Sequence, residues 1–477
     1  MICMEGFVLK AVKLLLLAAV ISCFCGCADN KEESNDITEI TFSFWEPGMA
    51  HEIEDALVKV ADGYTKLHPD VKIKLISQPV ETYQDWIKSC IISDDLPDIQ
   101  SNHGRVLRTQ YNAGLIINVS DKFNSQSPYA GGKVWKDTFK EEHINSSLED
   151  KFIPFFGTEL GIFYNKSIYK RLGLSVPKTW SEFMSNCKII QDAGTLPIAF
   201  MAQKDDACEW LEWAVAGGLF AKKHLENPNI NVNRDIAVSN YETYRAILTG
   251  EVNFSKDKEY KDEYRTYISR ISEILQYCGD YPGFEESVAK AMFLSGEAAH
   301  IHSGSWDIMG MMKNDNIDFE VGIFEFPVFT EKETPYYGKK LRNLSEQQVA
   351  VTKSAYSEDG KLEKAIDFLQ YFTSKDVYQQ FINDTSQIPV VKDIEYAEGT
   401  ELFNFDGYAH DMLLIRNNDA AIIRAILSGN PPVLDDEFFN RYQSELTDAA
   451  KKYADENNLT PDNDYYMKET EEAEYGR

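Results

Sequence analysis

Residues 299–306 of the chain read Ala-His-Ile-His-Ser-Gly-Ser-Trp, and they follow an apolar segment, residues 291–297, that is typical of a helix ending at Gly296. The pattern predicts a short buried strand that enters a Gly-Ser-Trp turn, where Gly304 allows the backbone to bend sharply. Trp306 then lies just past a strand end, which is where open α/β sheets bind ligands. Taken locally, the same pattern also fits a buried core tryptophan.

The length and the charge of the chain limit the classes of protein to consider. With 477 residues the chain exceeds what one hydrophobic core usually serves, so we expect at least two lobes. Lys and Arg number 48 and Asp and Glu number 77, which gives a formal net charge of −29. Such a chain, without basic clusters, repels phosphate backbones, and nucleic-acid binding is not expected.

The eight cysteines fit neither a disulfide scaffold nor a zinc site, because four lie within the first 27 residues and the others are far apart without Cys-x-x-Cys spacing. We expect no cofactor and no metal. The later four cysteines are interpreted as small buried apolar residues.

The N-terminus has the features of a processing segment. Lys10 and Lys13 precede an apolar run, residues 14–24, that is short for a membrane span and typical of a signal peptide. Residues 1–27 are therefore expected to be a lipoprotein signal peptide that includes its lipobox, or, as an alternative, a plain cleaved secretory signal.

A small residue directly before a cysteine resembles the bacterial lipobox, in which the cysteine receives lipid. Ser22 before Cys23 fits best, and Gly26 before Cys27 is the alternative. Residues 28–36 are polar and predict a flexible tether. The protein is thus expected to be exported and lipid-anchored to the outer face of a bacterial cell membrane.

The first predicted elements form a strand, a helix and a second strand. Residues 37–44 alternate between apolar and polar side chains, residues 51–67 have a helical apolar face, and residues 71–75 alternate again. A strand–helix–strand order predicts a parallel unit of a sheet. Trp45 and Glu46 follow the first strand at its carboxyl end, so both are candidate ligand contacts. Trp45 could equally plug the entry to the helix.

Two more polar positions are expected near strand ends. Residues 96–99 predict a short strand, and residues 100–104, which include Asn102, predict a polar turn after it. Residues 152–157 are apolar and contain a proline, so they are interpreted as a connection between lobes. Glu159 begins the strand that follows.

Further along, Thr179 and Glu182 have the spacing of a helix capping box. Residues 196–200 predict a buried strand. Trp210 and Trp213 are three residues apart and share one face of a helix. Such a pair is either part of the core or a platform for a ligand.

Catalytic and metal sites find little support in the sequence. Motifs for serine hydrolases, zinc proteases and phosphate loops are absent, and no catalytic residue is expected. His300 and His302 would share one strand face and could form half of a metal site, but a third ligand is not evident, which favours ordinary buried or exposed histidines.

By the order of these pieces, the chain resembles the extracellular solute-binding proteins of ABC sugar importers, the family typified by maltose-binding protein. The matching segments are the lipobox and residues 41–45, 68–73, 96–99, 164–166, 173–183, 296–299, 304–306, 364–369 and 386–390. The resemblance covers roughly residues 20 to 400 and is weakest at about 220–290.

The resemblance implies an α/β, two-lobed, periplasmic-binding-protein-like fold of type II, with a ligand cleft between lobes that are joined by crossing strands. It implies a carbohydrate ligand, delivery to the transmembrane subunits of an ABC permease, and a monomer. Strand and helix order suggests residues 37–153 plus 296–345 for the first lobe, residues 154–295 plus 346–454 for the second, and an acidic tail at 455–477.

Aromatic faces stack on the apolar faces of sugar rings, and carboxylates, amides and hydroxyls bond their hydroxyl groups. We therefore expect Trp306 to be the main stacking platform. The further candidate ligand contacts are Trp45, Glu46, Asn102, Glu159, Trp210, Trp213 and Ser305. Two alternatives stay open: a binding protein for a peptide or polyamine, and a lipid-anchored enzyme that acts on glycans.

Overall fold

A computed structural model describes residues 37–46, 52–145, 151–232, 238, 240–279, 283–312, 317–335, 337, 341–342, 345–403, 408–409 and 419–456. The expected signal peptide, the lipidation candidates Cys23 and Cys27, and the expected tether lie outside these residues, as does the tail from residue 457 on. From Glu39 onward the described residues form one compact unit.

The strands are β1 (Thr38–Glu46), β2 (Val71–Pro79), β3 (Ile99–His103), β4 (Ile153–Thr158), β5 (Leu160–Asn165), β6 (Leu196–Ala199), β7 (Ala298–Gly304), β8 (Val321–Phe324), β9 (Leu341–Arg342), β10 (Ser345–Val351) and β11 (Tyr408–Ala409).

The α-helices are α1 (Glu52–Leu67), α2 (Val80–Ser93), α3 (Gly104–Asn112), α4 (Ser120–Phe123), α5 (Glu141–Asn145), α6 (Lys166–Leu172), α7 (Trp180–Asp192), α8 (Asp205–Glu226), α9 (Asn240–Thr249), α10 (Lys258–Leu275), α11 (Glu286–Leu294), α12 (Ile308–Met312), α13 (Lys361–Phe372), α14 (Lys375–Thr385), α15 (Asp419–Leu427) and α16 (Asp436–Glu456). Short 3₁₀ helices occupy Lys136–Thr138, Ser305–Asp307, Lys353–Tyr356 and Thr400–Phe403.

The first sheet has the strand order β2-β1-β3-β10-β4. β1 and β3 are parallel, whereas β10 runs antiparallel to both β3 and β4. The alternating side chains of Ile40, Phe42 and Phe44 are all buried in the core of this sheet, as their period of two predicts. Helices α1, α13 and α14 contribute apolar faces to the same core.

The second sheet has the order β6-β7-β5-β8. β6 and β7 are parallel, and β5 is antiparallel to β7 and β8. The predicted capping box at the start of α7 is confirmed: Thr179 accepts a hydrogen bond from the N–H of Glu182, whose side chain bonds back to the cap. The helix before β7 ends ahead of Gly296, which has a φ of 77°. This left-handed conformation favours glycine.

A single residue, Glu159, connects the two sheets, since β4 of the first sheet ends at Thr158 and β5 of the second begins at Leu160. The apolar segment expected as the connection, residues 152–157, is instead mostly β4, which pairs with β10. The backbones of Gly157, in β4, and Ile388, after α14, also exchange two hydrogen bonds of 2.8 and 3.2 Å.

The polar segment 100–104, expected as a turn, is mainly strand β3 in the middle of the first sheet. The side chains of Gln100, Ser101 and Asn102 are buried because residues of other elements satisfy them, whereas His103 is exposed. The Ser101 hydroxyl, for example, donates to Gln347 Oε1 over 2.8 Å. Local polarity indicated a turn, and the partners that allow a polar strand to be buried lie far away in sequence.

The sheets divide the chain differently from the expected lobes. β7 and β8 fall in segment 296–345, expected in the first lobe, yet both belong to the second sheet. β10, α13 and α14 fall in segment 346–454, expected in the second lobe, yet they build the first sheet and its core. Pairing between strands that are distant in sequence determines which sheet each strand joins. For example, β7 pairs with β5 in a register that places Gly304 opposite Leu160. Helices α15 and α16 do pack in the second core.

Candidate functional site

The carboxyl ends of several strands converge on the crossing at Glu159. β1, β3 and β4 run in one direction, so they end at the same edge of the first sheet. In the second sheet Gly304, the last residue of β7, lies opposite Leu160, the first residue of β5. The turn that carries Trp306 therefore directly adjoins the crossing between the two sheets. Trp45 and Asn102 lie at the carboxyl ends of β1 and β3.

Trp306 lies in the 3₁₀ turn Ser305–Asp307 and is partly exposed. Its ring folds back over Gly304, where a Cβ atom would overlap the six-membered ring. Gly304 is thus required for this close approach of side chain and backbone. The Trp306 ring also contacts the Trp210 ring at a centroid distance of 5.2 Å and an interplanar angle of 58°.

Trp210 supports Trp306 from helix α8. The ammonium group of Lys204 lies 5.3 Å from the centroid of the Trp210 ring, a cation–π distance. Trp210 therefore contacts another indole and a cation, in addition to being partly buried. Trp213 lies in the same helix, and its side chain is outside the part of the chain that the structure describes.

Two other predicted site residues, Glu159 and Ser305, are brought together by reciprocal hydrogen bonds. The N–H of Ser305 donates to the carbonyl of Glu159 over 2.8 Å, and the N–H of Glu159 donates to Ser305 Oγ over 3.2 Å. Both residues are buried. Ser305 thus holds the crossing residue against the Trp306 turn.

Trp45 and Asn102 are buried at the ends of their strands. The Trp45 ring contacts the rings of Tyr83 and His103 at centroid distances of 5.0 and 5.3 Å. Asn102 Oδ1 accepts from Gln84 Nε2 over 3.0 Å and from the backbone N–H of His103 over 2.9 Å. In this arrangement the two side chains serve mainly to hold the strand ends. Glu46 ends β1, and its side chain lies outside the described residues.

A chain of charged residues beside Trp306 was not singled out from the sequence. Asp307, which follows Trp306, is fully buried and pairs with Lys290, while Glu286 and Lys204 continue the chain toward Trp210. Lys290 lies in an amphipathic helix, where an ordinary surface position is the default expectation. The sequence feature that could have indicated this charge network is Asp307, an acidic residue directly after the Gly-Ser-Trp turn.

The two histidines of β7 have different surroundings. His300 is satisfied: Nδ1–H donates to the Pro197 carbonyl over 2.7 Å, so Nε2 accepts from the Tyr169 hydroxyl over 2.7 Å. Both ring nitrogens of His302 are buried without a hydrogen-bond partner among the described residues. Burial lowers the pKa of each imidazole to about 4. Within the described ranges, no three His, Cys, Asp or Glu side chains cluster as metal ligands.

Two α/β lobes joined by a direct strand crossing, with a partly exposed tryptophan at the junction, define a two-lobed binding protein. The family of bacterial extracellular solute-binding proteins matches residues 50–379. The chain belongs to this family.

The chain is also similar to known relatives and solved structures over most of its length. The multiple sugar-binding protein of Streptococcus mutans is 21% identical over 402 residues, which are 82% of this chain and 85% of the relative. RafE, solved in complex with raffinose, superposes with a TM-score of 0.61 at 16% identity, covering 87% of this chain and all of RafE. The cyclic alpha-maltosyl-1,6-maltose binding protein of Arthrobacter globiformis gives 0.60 at 17% identity, covering 87% and 99%. The expected two-lobed fold of periplasmic solute-binding proteins is confirmed.

Among the helices that the structure describes, none combines the length and the apolar character needed to cross a membrane.

Proposed function

We propose that the chain binds a sugar or oligosaccharide between its two lobes and delivers it to the membrane subunits of an ABC importer. The observation that carries this proposal is the partly exposed Trp306 ring at the crossing, in a protein whose family binds solutes. An indole ring in that position offers an apolar face of the right size for the C–H face of a pyranose.

The relatives favour sugars over other solutes. The Streptococcus mutans protein is named for binding multiple sugars, and a second relative, from Bacillus subtilis, is named for melibiose, raffinose and stachyose. The structural neighbours include complexes or binding proteins for raffinose, a cyclic maltose derivative and chitin oligosaccharides. An oligosaccharide is therefore the ligand class that we test first.

In this proposal residues 37–158 plus 345–397 form one lobe, and residues 159–342 plus 419–456 form the other. The proposed aromatic contacts are Trp306, with Trp210 behind it and Trp213 on the same helix, and Trp45 at the end of β1. The proposed polar contacts are Glu46, Asn102, Glu159 and Ser305. Hinge closure of one lobe on the other then encloses the sugar, as is common for two-lobed binding proteins.

The proposed location is the outer face of a bacterial membrane. A lipid on Cys23, or on Cys27 as the alternative, anchors the N-terminus, and the protein acts as a monomer beside its permease. Mass spectrometry of the mature N-terminus distinguishes the two cysteines, because the lipidated residue becomes the first residue of the chain.

The proposal is tested by thermal unfolding of the purified chain with a panel of oligosaccharides, and with polyamines and peptides as controls. A ligand that binds only the folded state at about 100 times its Kd adds roughly 2.7 kcal/mol of stability. Stabilisation by one glycan class supports the proposal, whereas stabilisation by a polyamine or peptide alone contradicts it. Recovery of the glycan intact separates binding from hydrolysis, which would release new reducing ends.

A further inference from the structure

A chain of charged residues, buried at Asp307 and Lys290 and partly exposed at Glu286 and Lys204, connects the two tryptophans of the site. From this arrangement we propose that Lys290 is a positioning residue, which fixes the Trp306 turn through Asp307 and the Trp210 ring through Glu286 and Lys204. One charge network then sets the geometry between the two indole rings. The expected effect of Lys290 on ligand affinity rests on the proposed function. Its expected effect on the geometry of the two indole rings does not.

The first half of the network holds the Trp306 turn. Asp307 is fully buried and directly follows Trp306. Its Oδ1 lies 2.8 Å from Nζ of Lys290, and its Oδ2 accepts a hydrogen bond of 2.6 Å from the Ser303 hydroxyl. Both carboxylate oxygens are therefore held, one by helix α11 and the other by strand β7. A turn fixed from two elements leaves its central residue, Trp306, little freedom of backbone orientation.

The second half of the network reaches Trp210. Lys290 Nζ also lies 2.7 Å from Glu286 Oε1, one helical turn earlier in α11. The other oxygen of Glu286 bonds to Lys204, which lies immediately before helix α8. Lys204 Nζ is 5.3 Å from the centroid of the Trp210 ring. The charges alternate along this path, so each cation has an anion on at least one side.

The charges of Lys290 and Asp307 are costly to bury, so each needs the other as a partner. The Lys290 side chain is 8% exposed and that of Asp307 is 0% exposed, so either charge alone would be strongly disfavoured. Burial tends to lower the pKa of Lys290, yet Asp307 and Glu286 outweigh it and the net pKa is raised. A buried ion pair adds little stability over an apolar pair of equal volume. We therefore infer that the Lys290–Asp307 pair serves to fix the position of the Trp306 turn.

A second buried Lys–Asp pair provides a matched control. In the first lobe Lys361 Nζ lies 3.0 Å from Asp98 Oδ1, with side-chain exposures of 11% and 2%. Asp98 also accepts from the N–H and the hydroxyl of Thr41, both over 2.8 Å. Breaking this pair leaves a comparable buried charge without touching either indole ring.

The experiment compares Lys290→Met, the double variant Lys290→Met/Asp307→Asn, Lys290→Arg and Lys361→Met in the full-length chain. Tilted indole rings in contact give a coupled circular-dichroism band, which Trp306→Phe identifies by its loss. We measure this band well below the unfolding temperature, together with the Kd for the oligosaccharide that binds the wild type. Lys290→Met alone leaves the buried Asp307 carboxylate without its cation, and the double variant removes that charge. The double variant therefore separates a displaced indole ring from a loss of folding.

Lys290→Met and the double variant are expected to lose most of the coupled band and to bind about tenfold more weakly, which corresponds to one aromatic contact. Lys290→Arg should retain most of both signals, and Lys361→Met should retain both while unfolding at a lower temperature. An unchanged band in the folded double variant overturns the inference, as does an equal loss in Lys361→Met. If no sugar binds the wild type, the proposed function is wrong. The circular-dichroism band of the two indole rings then still tests whether Lys290 positions them.

Discussion

The backbone N–H of Ser305 donates to the carbonyl of Glu159 over 2.8 Å, and the N–H of Glu159 donates in return to Ser305 Oγ over 3.2 Å. The first residue is the start of the turn that carries Trp306, and the second is the residue by which the chain crosses between the sheets. The turn that carries the proposed platform and the crossing between the two sheets are thus joined by two hydrogen bonds. A change at one is expected to affect the other.

The first prediction concerns this tie. Ser305→Ala removes the acceptor of the Glu159 N–H and leaves that buried donor without its partner, which costs about 1–3 kcal/mol of unfolding free energy. Urea denaturation measures the loss. Ser93→Ala, an exposed serine of helix α2, serves as the control and should change stability by less than about 0.5 kcal/mol. Equal stability of Ser305→Ala and wild type would contradict the role of the hydroxyl.

The second prediction concerns Gly304. The added Cβ of Gly304→Ala would overlap the Trp306 ring, so the ring must leave its place against the backbone. Displacement of a ring that stacks on the sugar should weaken binding about tenfold, measured by isothermal titration. Gly283→Ala, where the nearest atom is a side-chain nitrogen 3.8 Å away, is the matched control and should bind normally. Normal binding by Gly304→Ala would show that the ring position does not matter for the ligand.

The third prediction concerns pH. Burial lowers the pKa of His302 from 6.5 to about 4 in the folded chain. Between these values the unfolded chain binds a proton that the folded chain does not, so stability is full above pH 6.5 and is lost as the pH falls toward 4. One such histidine contributes a slope of at most about 1.4 kcal/mol per pH unit. His302→Leu should therefore flatten the dependence of the unfolding free energy on pH over this range.

Two comparisons sharpen the pH measurement. His300 on the same strand has a pKa lowered to about 4 as well, so part of the slope should remain in His302→Leu. Ile301→Val, a neighbouring core change, should cost about 0.5–1.5 kcal/mol at every pH and leave the slope intact. A slope unchanged by His302→Leu would mean that this imidazole is protonated equally in both states.

Features set by neighbouring residues could be predicted from the sequence. The alternation of Ile40, Phe42 and Phe44 identified β1, and the spacing of Thr179 and Glu182 identified a helix start, because both depend on contacts within a few residues. The placement of Trp306 just past a strand end was also local, and the structure has it there.

Features set by distant residues could not be predicted. The membership of β7 in the second sheet depends on its pairing with β5, more than a hundred residues earlier. The burial of Asn102 depends on the Gln84 side chain, and the Asp307–Lys290 pair joins a turn to a separate helix. In the last two cases the sequence shows a polar residue but not the partner that satisfies it.

The central claim is that Trp306 is the platform on which a sugar is bound. Isothermal titration of the wild type, Trp306→Ala and Tyr356→Ala against the stabilising oligosaccharide tests it most directly. Tyr356 serves as the control, because it is an exposed aromatic residue that follows the end of β10 farther from the crossing at Glu159. We predict that Trp306→Ala binds at least about tenfold more weakly while Tyr356→Ala binds as the wild type does. Equal affinity of Trp306→Ala and wild type would contradict the account.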